Sequence, residues 1–235
     1  MLPLFPPKLT FRTKPERGEV RDPPLGCPNN VLTGQWQIIL LIHGYNNNEA
    51  EGRQAYDGFR DLQRELGNLN PDQPVAGGHL VDVYWPGDVG FFSVWNYPES
   101  LIRARAIATS LAQALQRASE QSGFKWIDIV AHSMGARLAF ELVRQLNTVP
   151  GVYVRRAVVM AGAVPTFMLE QGEPLRVGFD NAAMEGVRSL YSRDDWVLRY
   201  AFPVGQERAG AGEWRDPTVA LGSMRWEYNS APAAL

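Results

Sequence analysis

The sequence contains little cysteine, little histidine and no excess of charge. Its 235 residues include one cysteine, Cys27, so no disulfide can form within the chain. Cys27 lies far in the sequence from the three histidines, which gives no metal-ligand spacing, and no metal or other cofactor is expected. The formal net charge of −2 lacks the basic surplus of a nucleic-acid-binding protein. We therefore expect an ordinary globular protein with no nucleic-acid partner.

Long apolar runs are also absent. No stretch approaches the roughly 20 residues that a membrane-spanning helix requires. The N-terminal segment MLPLFPPKLTF is interrupted by prolines and lacks the basic start, continuous apolar region and cleavage site of a signal peptide. We expect a cytoplasmic protein without a membrane span. A chain whose signal peptide had been removed would have the same appearance.

The order of strand and helix patterns predicts an α/β fold. Residues 1–34 are rich in proline and are expected to form an extended lead-in of the same domain, with one or two edge strands. Residues 35–235 then alternate between strands and helices, which implies βαβ crossovers and a mainly parallel central sheet with helices on both faces. The expected strands are 37–44, 79–85, 126–131, 155–163 and 186–192, and the expected helices are 49–66, the segment around 101–118 and the segment around 138–146.

One polar residue interrupts this pattern. The stretch IVAHSMGARLAF (129–140) places Ser133 between an apolar strand and an amphipathic helix, with the small residues Ala131 and Gly135 two positions to either side. Larger side chains there would collide where strand and helix fold against each other in a sharp turn. The turn lies at the carboxyl edge of the sheet, where open α/β folds place their sites. The pattern therefore indicates a nucleophile held in a strained turn.

This motif resembles the G-x-S-x-G elbow of the α/β-hydrolases, with Ala131 in place of the first glycine. The stretch HGYN (43–46) is similar to the His-Gly loop of that family, and LYSRDDWVL (190–198) is similar to its acid loop. The three motifs together resemble bacterial α/β-hydrolase-like proteins with HGFN and AHSMG motifs. The resemblance covers about residues 36–200 and implies an α/β-hydrolase fold with a small cap or none, since only the segment from about 164 to 185 leaves room for one.

The resemblance also implies a role for each motif residue. Ser133 would be the nucleophile, Asp195 rather than Asp194 would be the acid, and the backbone N–H groups of Tyr45 and Met134 would form the oxyanion hole. The remaining motif residues are expected to support the site structurally, and they are His43, Gly44, His132 and Gly135. The third histidine, His79, begins a strand and is expected at the opposite edge of the sheet.

The family's histidine is missing from its expected place. Related hydrolases carry the triad histidine after the acid, but residues 196–235 contain none. Three explanations stay open: the natural chain continues past Leu235, the histidine has been replaced, or the protein is not a working hydrolase. The lack of a closing helix in the last residues favours truncation.

The expected function is that of a serine hydrolase of small-molecule carboxylic esters, esterase-like or lipase-like, acting through an acyl-enzyme at Ser133. The alternative is a catalytically inactive binding or interaction protein with the same fold. Dehalogenases and epoxide hydrolases of this fold carry an aspartate at the elbow, which disfavours them here. Aromatic residues before the long helix suggest either an acyl pocket or core packing, and they are Phe91, Phe92, Trp95 and Tyr97.

Overall fold

The computed structural model describes residues 8–12, 20–25, 36–45, 47–67, 79–87, 97–123, 125–148, 150–181, 185–209 and 218–224. The strands in these ranges are β1 (Lys8–Arg12), β2 (Val20–Leu25), β3 (Gln37–Ile42), β4 (His79–Tyr84), β5 (Trp126–His132), β6 (Tyr153–Met160) and β7 (Gly186–Leu190). The α-helices are α1 (Glu49–Glu65), α2 (Tyr97–Ser122), α3 (Met134–Leu146), α4 (Pro174–Asn181) and α5 (Phe202–Ala209). Shorter 3₁₀ turns cover Thr166–Leu169 and Leu221–Ser223, and a π-helical turn covers Val197–Ala201.

The strands form one seven-stranded sheet in the order β2-β1-β4-β3-β5-β6-β7. The pairs from β1 to β7 along this order are parallel, and β2 is antiparallel to β1 at the edge. The predicted mainly parallel sheet is therefore confirmed. β6 ends three residues earlier than expected, because Ala161 has a positive φ of 47° and turns the chain out of the sheet.

Helices cover both faces of the sheet, as predicted. Alternate residues of β3 face opposite sides, so Ile38 and Leu40 join the large core beneath α2 and α3, whereas Leu41 joins a small cluster beneath α1. This small cluster is completed by Tyr56 of α1 and Tyr84 of β4. Six apolar side chains of α3 are fully buried, which explains its central place in the larger core: Met134, Ala136, Leu138, Phe140, Leu142 and Val143.

α1 begins directly after the loop that follows β3. Its N-cap is Asn48, whose side-chain oxygen accepts from the Glu51 N–H at 3.0 Å, while the Glu51 carboxylate accepts from the Asn48 N–H at 2.8 Å. This capping box satisfies backbone donors at the helix N-terminus. It fixes where the loop stops and the helix starts, and so limits the path of residues 43–47.

The segment between β6 and β7 packs beside α3. Phe179 of α4 contacts Phe140 of α3 with 4.4 Å between ring centroids, and the Asn147 side-chain amide donates to the Gly178 carbonyl. This segment thus belongs to the helical layer, consistent with the expected small cap or none. Among the described residues, no helix is long and apolar enough to cross a membrane.

Candidate active site

Ser133 occupies the one-residue turn between β5 and α3, with φ 52° and ψ −122°. Such a conformation costs a non-glycine residue of order 1–3 kcal/mol. Backbone hydrogen bonds hold it in place: the Ser133 N–H donates to Met160 at 2.9 Å, and its carbonyl accepts from Ala136 and Ala163 at 3.0 Å each. The turn is therefore tied to α3 and to the end of β6.

Two glycines allow the chain to pack closely around this turn. A Cβ on Gly135 would lie 2.4 Å from the His43 carbonyl oxygen and 2.7 Å from that of Ile42. A Cβ on Gly44 would lie 2.9 Å from both the Ser133 Cβ and the His132 Nδ1. Because neither position has room for a side chain, the loop after β3 lies directly against the turn that holds Ser133.

The two residues expected to supply oxyanion donors flank this contact. Met134 is the first residue of α3, where backbone N–H groups lack intrahelical acceptors and favour negative charge. Tyr45 follows Gly44, and its ring meets the edge of the Tyr97 ring at 6.2 Å between centroids. Burial raises the pKa of the Tyr45 phenol. The fold thus brings both residues to the carboxyl edge of the sheet beside Ser133.

His43 is locked into the protein interior. Its Nδ1 donates to the Gly44 carbonyl at 2.9 Å and its Nε2 accepts from the Trp85 N–H at 3.3 Å, which specifies the Nδ1–H tautomer. The Trp85 indole N–H donates to the His43 carbonyl, and the Tyr56 hydroxyl accepts from the His43 N–H. Burial lowers the pKa of His43 to about 3. With both ring nitrogens engaged and the ring neutral, His43 is placed as a structural anchor of its loop.

His132 has a different environment. It ends β5, its residue is exposed, and its Nδ1 lies beside Gly44. The surrounding protein lowers the pKa of His132 by desolvating the ring, whereas the negative charge of Asp195 raises it. His132 therefore lies beside Gly44 and Ser133, at an exposed position within the electrostatic reach of the Asp195 carboxylate, and its role as structural support of the elbow stays a prediction.

Asp195 begins the helical segment after β7. Its Oδ1 accepts from the Leu198 N–H at 3.0 Å, and its backbone carbonyl accepts from the Arg199 N–H at 3.0 Å. The residue is partly buried, whereas Asp194 is exposed. The carboxylate whose charge acts on His132 is that of Asp195, which makes it the better placed of the two candidate acids.

A segment that the sequence did not suggest also reaches this region. Residues 218–224 pair with the chain that leaves β6, where the Leu221 N–H donates to Val164 at 2.8 Å and the Gly222 N–H donates to Gly162 at 2.9 Å. The Ser192 N–H in turn donates to the Gly222 carbonyl at 3.0 Å. This segment therefore ties the loop of Asp195 to the chain beside Ser133. Residues 218–224 contain no charged side chain and no helical or strand periodicity, so no sequence pattern predicts their position.

Other sequence expectations have mixed outcomes. Tyr97 is buried and its hydroxyl accepts from the Gln206 side chain at 2.7 Å, so it belongs to the core rather than to an acyl pocket. Phe91, Phe92 and Trp95 lie outside the described residues, as does Cys27. His79 begins β4 opposite Ile38, at the amino edge of the sheet and therefore away from Ser133.

Comparison with known proteins agrees with this architecture. Residues 30–165 match the model of a family described as "Alpha/beta hydrolase of unknown function (DUF900)". No curated protein matches the chain.

Two solved structures show low similarity to the chain. A protein from Lactobacillus plantarum WCFS1, described as a cell surface hydrolase, shares 14% identity over 78% of each chain, with a TM-score of 0.41. An extracellular α/β-hydrolase from a Paenibacillus species shares 18% identity over 62% of this chain and 53% of its own, with a TM-score of 0.28. The identification rests on the family match, which spans more than half of the sequence. The chain belongs to this family of α/β hydrolases.

Proposed function

We propose that the protein hydrolyses small carboxylic esters through an acyl-enzyme formed on Ser133. The single observation that carries this proposal is the strained backbone of Ser133, with φ 52° in the turn between β5 and α3. Glycine would adopt this conformation without strain, so a serine at this position retains its hydroxyl group at an energetic cost. Strain retained at a polar residue on the carboxyl edge of a parallel sheet is typical of a functional site.

In the proposed reaction the Ser133 Oγ bonds to the acyl carbon of the ester. The carbonyl oxygen becomes an oxyanion, which the N–H groups of Tyr45 and Met134 stabilise, and each such donor is typically worth about 2.7–4 kcal/mol. The proton of the Ser133 hydroxyl passes to the leaving alcohol as the ester C–O bond breaks. Water then attacks the acyl carbon, the acyl–Oγ bond breaks to release the acid, and a proton from the water returns to the Ser133 oxygen. Asp195 stabilises the protonated form of the base that carries the proton between these steps.

Two measurements test this proposal. The full chain should hydrolyse p-nitrophenyl acetate and react stoichiometrically with a fluorophosphonate probe at Ser133. The Ser133→Ala variant should lose both properties while keeping its circular dichroism spectrum. Turnover that persists in Ser133→Ala would show that the activity arises elsewhere.

A non-catalytic binding protein is the second candidate. The observation that favours it is the absence of histidine from residues 196–235, and the described segment 218–224 that returns to the site has none. A chain that fails to label at Ser133 under all conditions but keeps a stable fold would favour this candidate. The cytoplasmic location expected from the sequence stays a prediction, which fractionation of the source cells would check.

A further inference from the structure

The chain contains three histidines, and their positions differ sharply in what they permit. His79 begins β4 at the amino edge of the sheet, opposite the edge that holds Ser133. His43 has both ring nitrogens bound, to the Gly44 carbonyl and to the Trp85 N–H. Removing His43 from these contacts would leave a buried carbonyl and a buried N–H without their partner, which is unfavourable because buried polar groups lose their hydrogen bonds to water. These two residues are therefore unsuited to accept a proton from Ser133.

His132 differs from His79 and His43 because it lies beside Ser133 and is exposed. The His132 Nδ1 and the Ser133 Cβ both lie next to Gly44, because a Cβ built on Gly44 would be 2.9 Å from each of these atoms. The residue is exposed, so its ring has room to change rotamer. A carboxylate acts on it from the loop after β7, namely Asp195. The serine and the imidazole thus lie side by side at one edge of the sheet, and the Asp195 carboxylate is near enough to interact electrostatically with the imidazole.

We propose that His132 is the general base of this chain and that Asp195 stabilises the imidazolium that forms. This inference rests on the proposed function of Ser133. His132 takes the proton from the Ser133 Oγ as that oxygen bonds to the acyl carbon, and it gives the proton to the departing alcohol. In the second half it takes a proton from water and returns it to the Ser133 Oγ when the acyl–oxygen bond breaks. The proton balance closes in each cycle, with no co-reactant besides water.

Proton transfer from Ser133 to His132 requires the two groups to come into hydrogen-bonding contact. Within the described part of the chain, no hydrogen bond joins the Ser133 hydroxyl to the His132 ring. Rotation of the exposed side chain or one bridging water would close the gap, and catalytic hydrogen bonds are commonly loose before substrate binds. Two ionisable groups on packed elements interact with His132: Asp195 on the loop after β7, whose charge acts on His132, and His43 on the loop after β3, on which His132 acts. His43 is neutral at physiological pH, so Asp195 supplies the charge.

The experiment measures the rate of Ser133 labelling by a fluorophosphonate probe, together with p-nitrophenyl acetate turnover, in the full chain. We expect His132→Gln to slow both by about 10²–10⁴-fold, the usual contribution of a general base. His79→Gln, the same change at the opposite edge of the sheet, should label at the unaltered rate. Circular dichroism of each variant checks that the fold is kept.

A second measurement separates proton transfer from a structural effect of the substitution. Added imidazole should restore labelling of His132→Ala, and it should do so as the free base, with a rate that rises with pH. In the parent chain, labelling should fall at acid pH as His132 becomes protonated. Because the Asp195 charge raises the pKa of His132, Asp195→Asn should move this fall to lower pH. A merely structural role would produce neither the rescue nor the shift.

The outcomes distinguish the two proposals. Normal labelling and turnover in His132→Gln would overturn the assignment of the base and leave the proposed function intact. The assignment of the base would also be overturned by two results together. These are a folded His132→Ala variant that imidazole does not rescue, and an Asp195→Asn variant whose labelling falls at the same acid pH as that of the parent chain. A parent chain that neither labels nor hydrolyses the ester would overturn the proposed function, and the base assignment with it.

Discussion

At the scale of single residues, the candidate site depends on places where no side chain fits. Gly135 lies in the first turn of α3, directly above the carbonyl oxygens of Ile42 and His43. The close approach brings the helix N-terminus against the loop that carries Tyr45. An isolated helix would be more stable with alanine at this position. Glycine is required here because α3 packs against the end of β3.

Gly135→Ala should destabilise the protein by about 1–3 kcal/mol, because its Cβ would lie 2.4 Å from a backbone oxygen and the backbone must shift. Gly58→Ala in α1 is the matched control, since nothing lies within 4 Å of its Cβ position. That change should stabilise the helix by roughly 0.5–1 kcal/mol. Urea unfolding of both variants checks the pair. Equal stabilities would contradict the close contact of α3 with the end of β3.

A second residue, His43, makes the stability of the protein sensitive to pH. Its pKa is about 3 in the folded protein, against 6.5 for an ordinary histidine, because burial opposes the charged form. As pH falls, the unfolded state therefore binds a proton before the folded state does. The stabilising contribution is complete above about pH 6.5 and is lost progressively as pH falls towards 3.

We expect the free energy of unfolding to fall between pH 6.5 and pH 4 more steeply in the parent chain than in His43→Gln, which has no imidazole to protonate. The difference in slope should approach about 1.4 kcal/mol per pH unit. Urea unfolding curves at pH 7, 6 and 5 provide the measurement. Parallel pH profiles for the two proteins would show that His43 is not buried in its neutral form.

At the scale of elements, α3 is joined to α2 by a buried charge cluster. Glu141 is almost fully buried and accepts from Arg137 at 3.0 Å, while Arg105 of α2 and Arg144 also approach its carboxylate. Desolvation opposes ionisation of Glu141, but the three guanidinium groups keep its pKa below the usual value. The cluster holds α3, and thus the elbow at its N-terminus, against the neighbouring helix.

Glu141→Gln should cost about 3–5 kcal/mol, because it removes the buried carboxylate that compensates the charge of the buried Arg137 guanidinium. The control is Glu185→Gln, which removes one partner of the exposed pair with Arg156 and should cost less than about 1 kcal/mol. Thermal or urea unfolding compares the two substitutions. A small effect of Glu141→Gln would mean that solvent or another carboxylate neutralises Arg137.

At the scale of the whole molecule, strand order determines which parts are most protected. β3 and β5 lie at the middle of the described sheet, with a parallel neighbour on either side, whereas β7 pairs with β6 alone. The catalytic candidates follow β3 and β5, so the elbow and the oxyanion loop are attached to strands that are hydrogen-bonded on both sides. Asp195 follows β7, which lies at the edge of the described sheet, and its loop is hydrogen-bonded to segment 218–224 through the Ser192 N–H.

Hydrogen–deuterium exchange should therefore be slowest for the amides of β3 and β5 and faster for those of β7. Mass spectrometry of peptides from the folded protein would measure this order. Exchange in β7 as slow as in β5 would indicate that a further element covers the edge of β7 that has no strand neighbour among the described residues.

The sequence by itself determined the features that local patterns encode. Apolar runs and helical spacing predicted the parallel sheet and its helices, and the small residues around Ser133 predicted the turn between β5 and α3, because each of these signals lies within a few consecutive residues. Only the tertiary structure distinguished His43 from His132. His43 and His132 both lie inside recognisable motifs, HGYN and AHSMG, but His43 is bound by Trp85, 42 positions away, and His132 is influenced by the charge of Asp195, 63 positions away. The course of segment 218–224 was likewise decided by backbone hydrogen bonds to distant residues. Which ring is buried and which faces a carboxylate depends on how remote strands and loops pack together, and no local pattern carries that information.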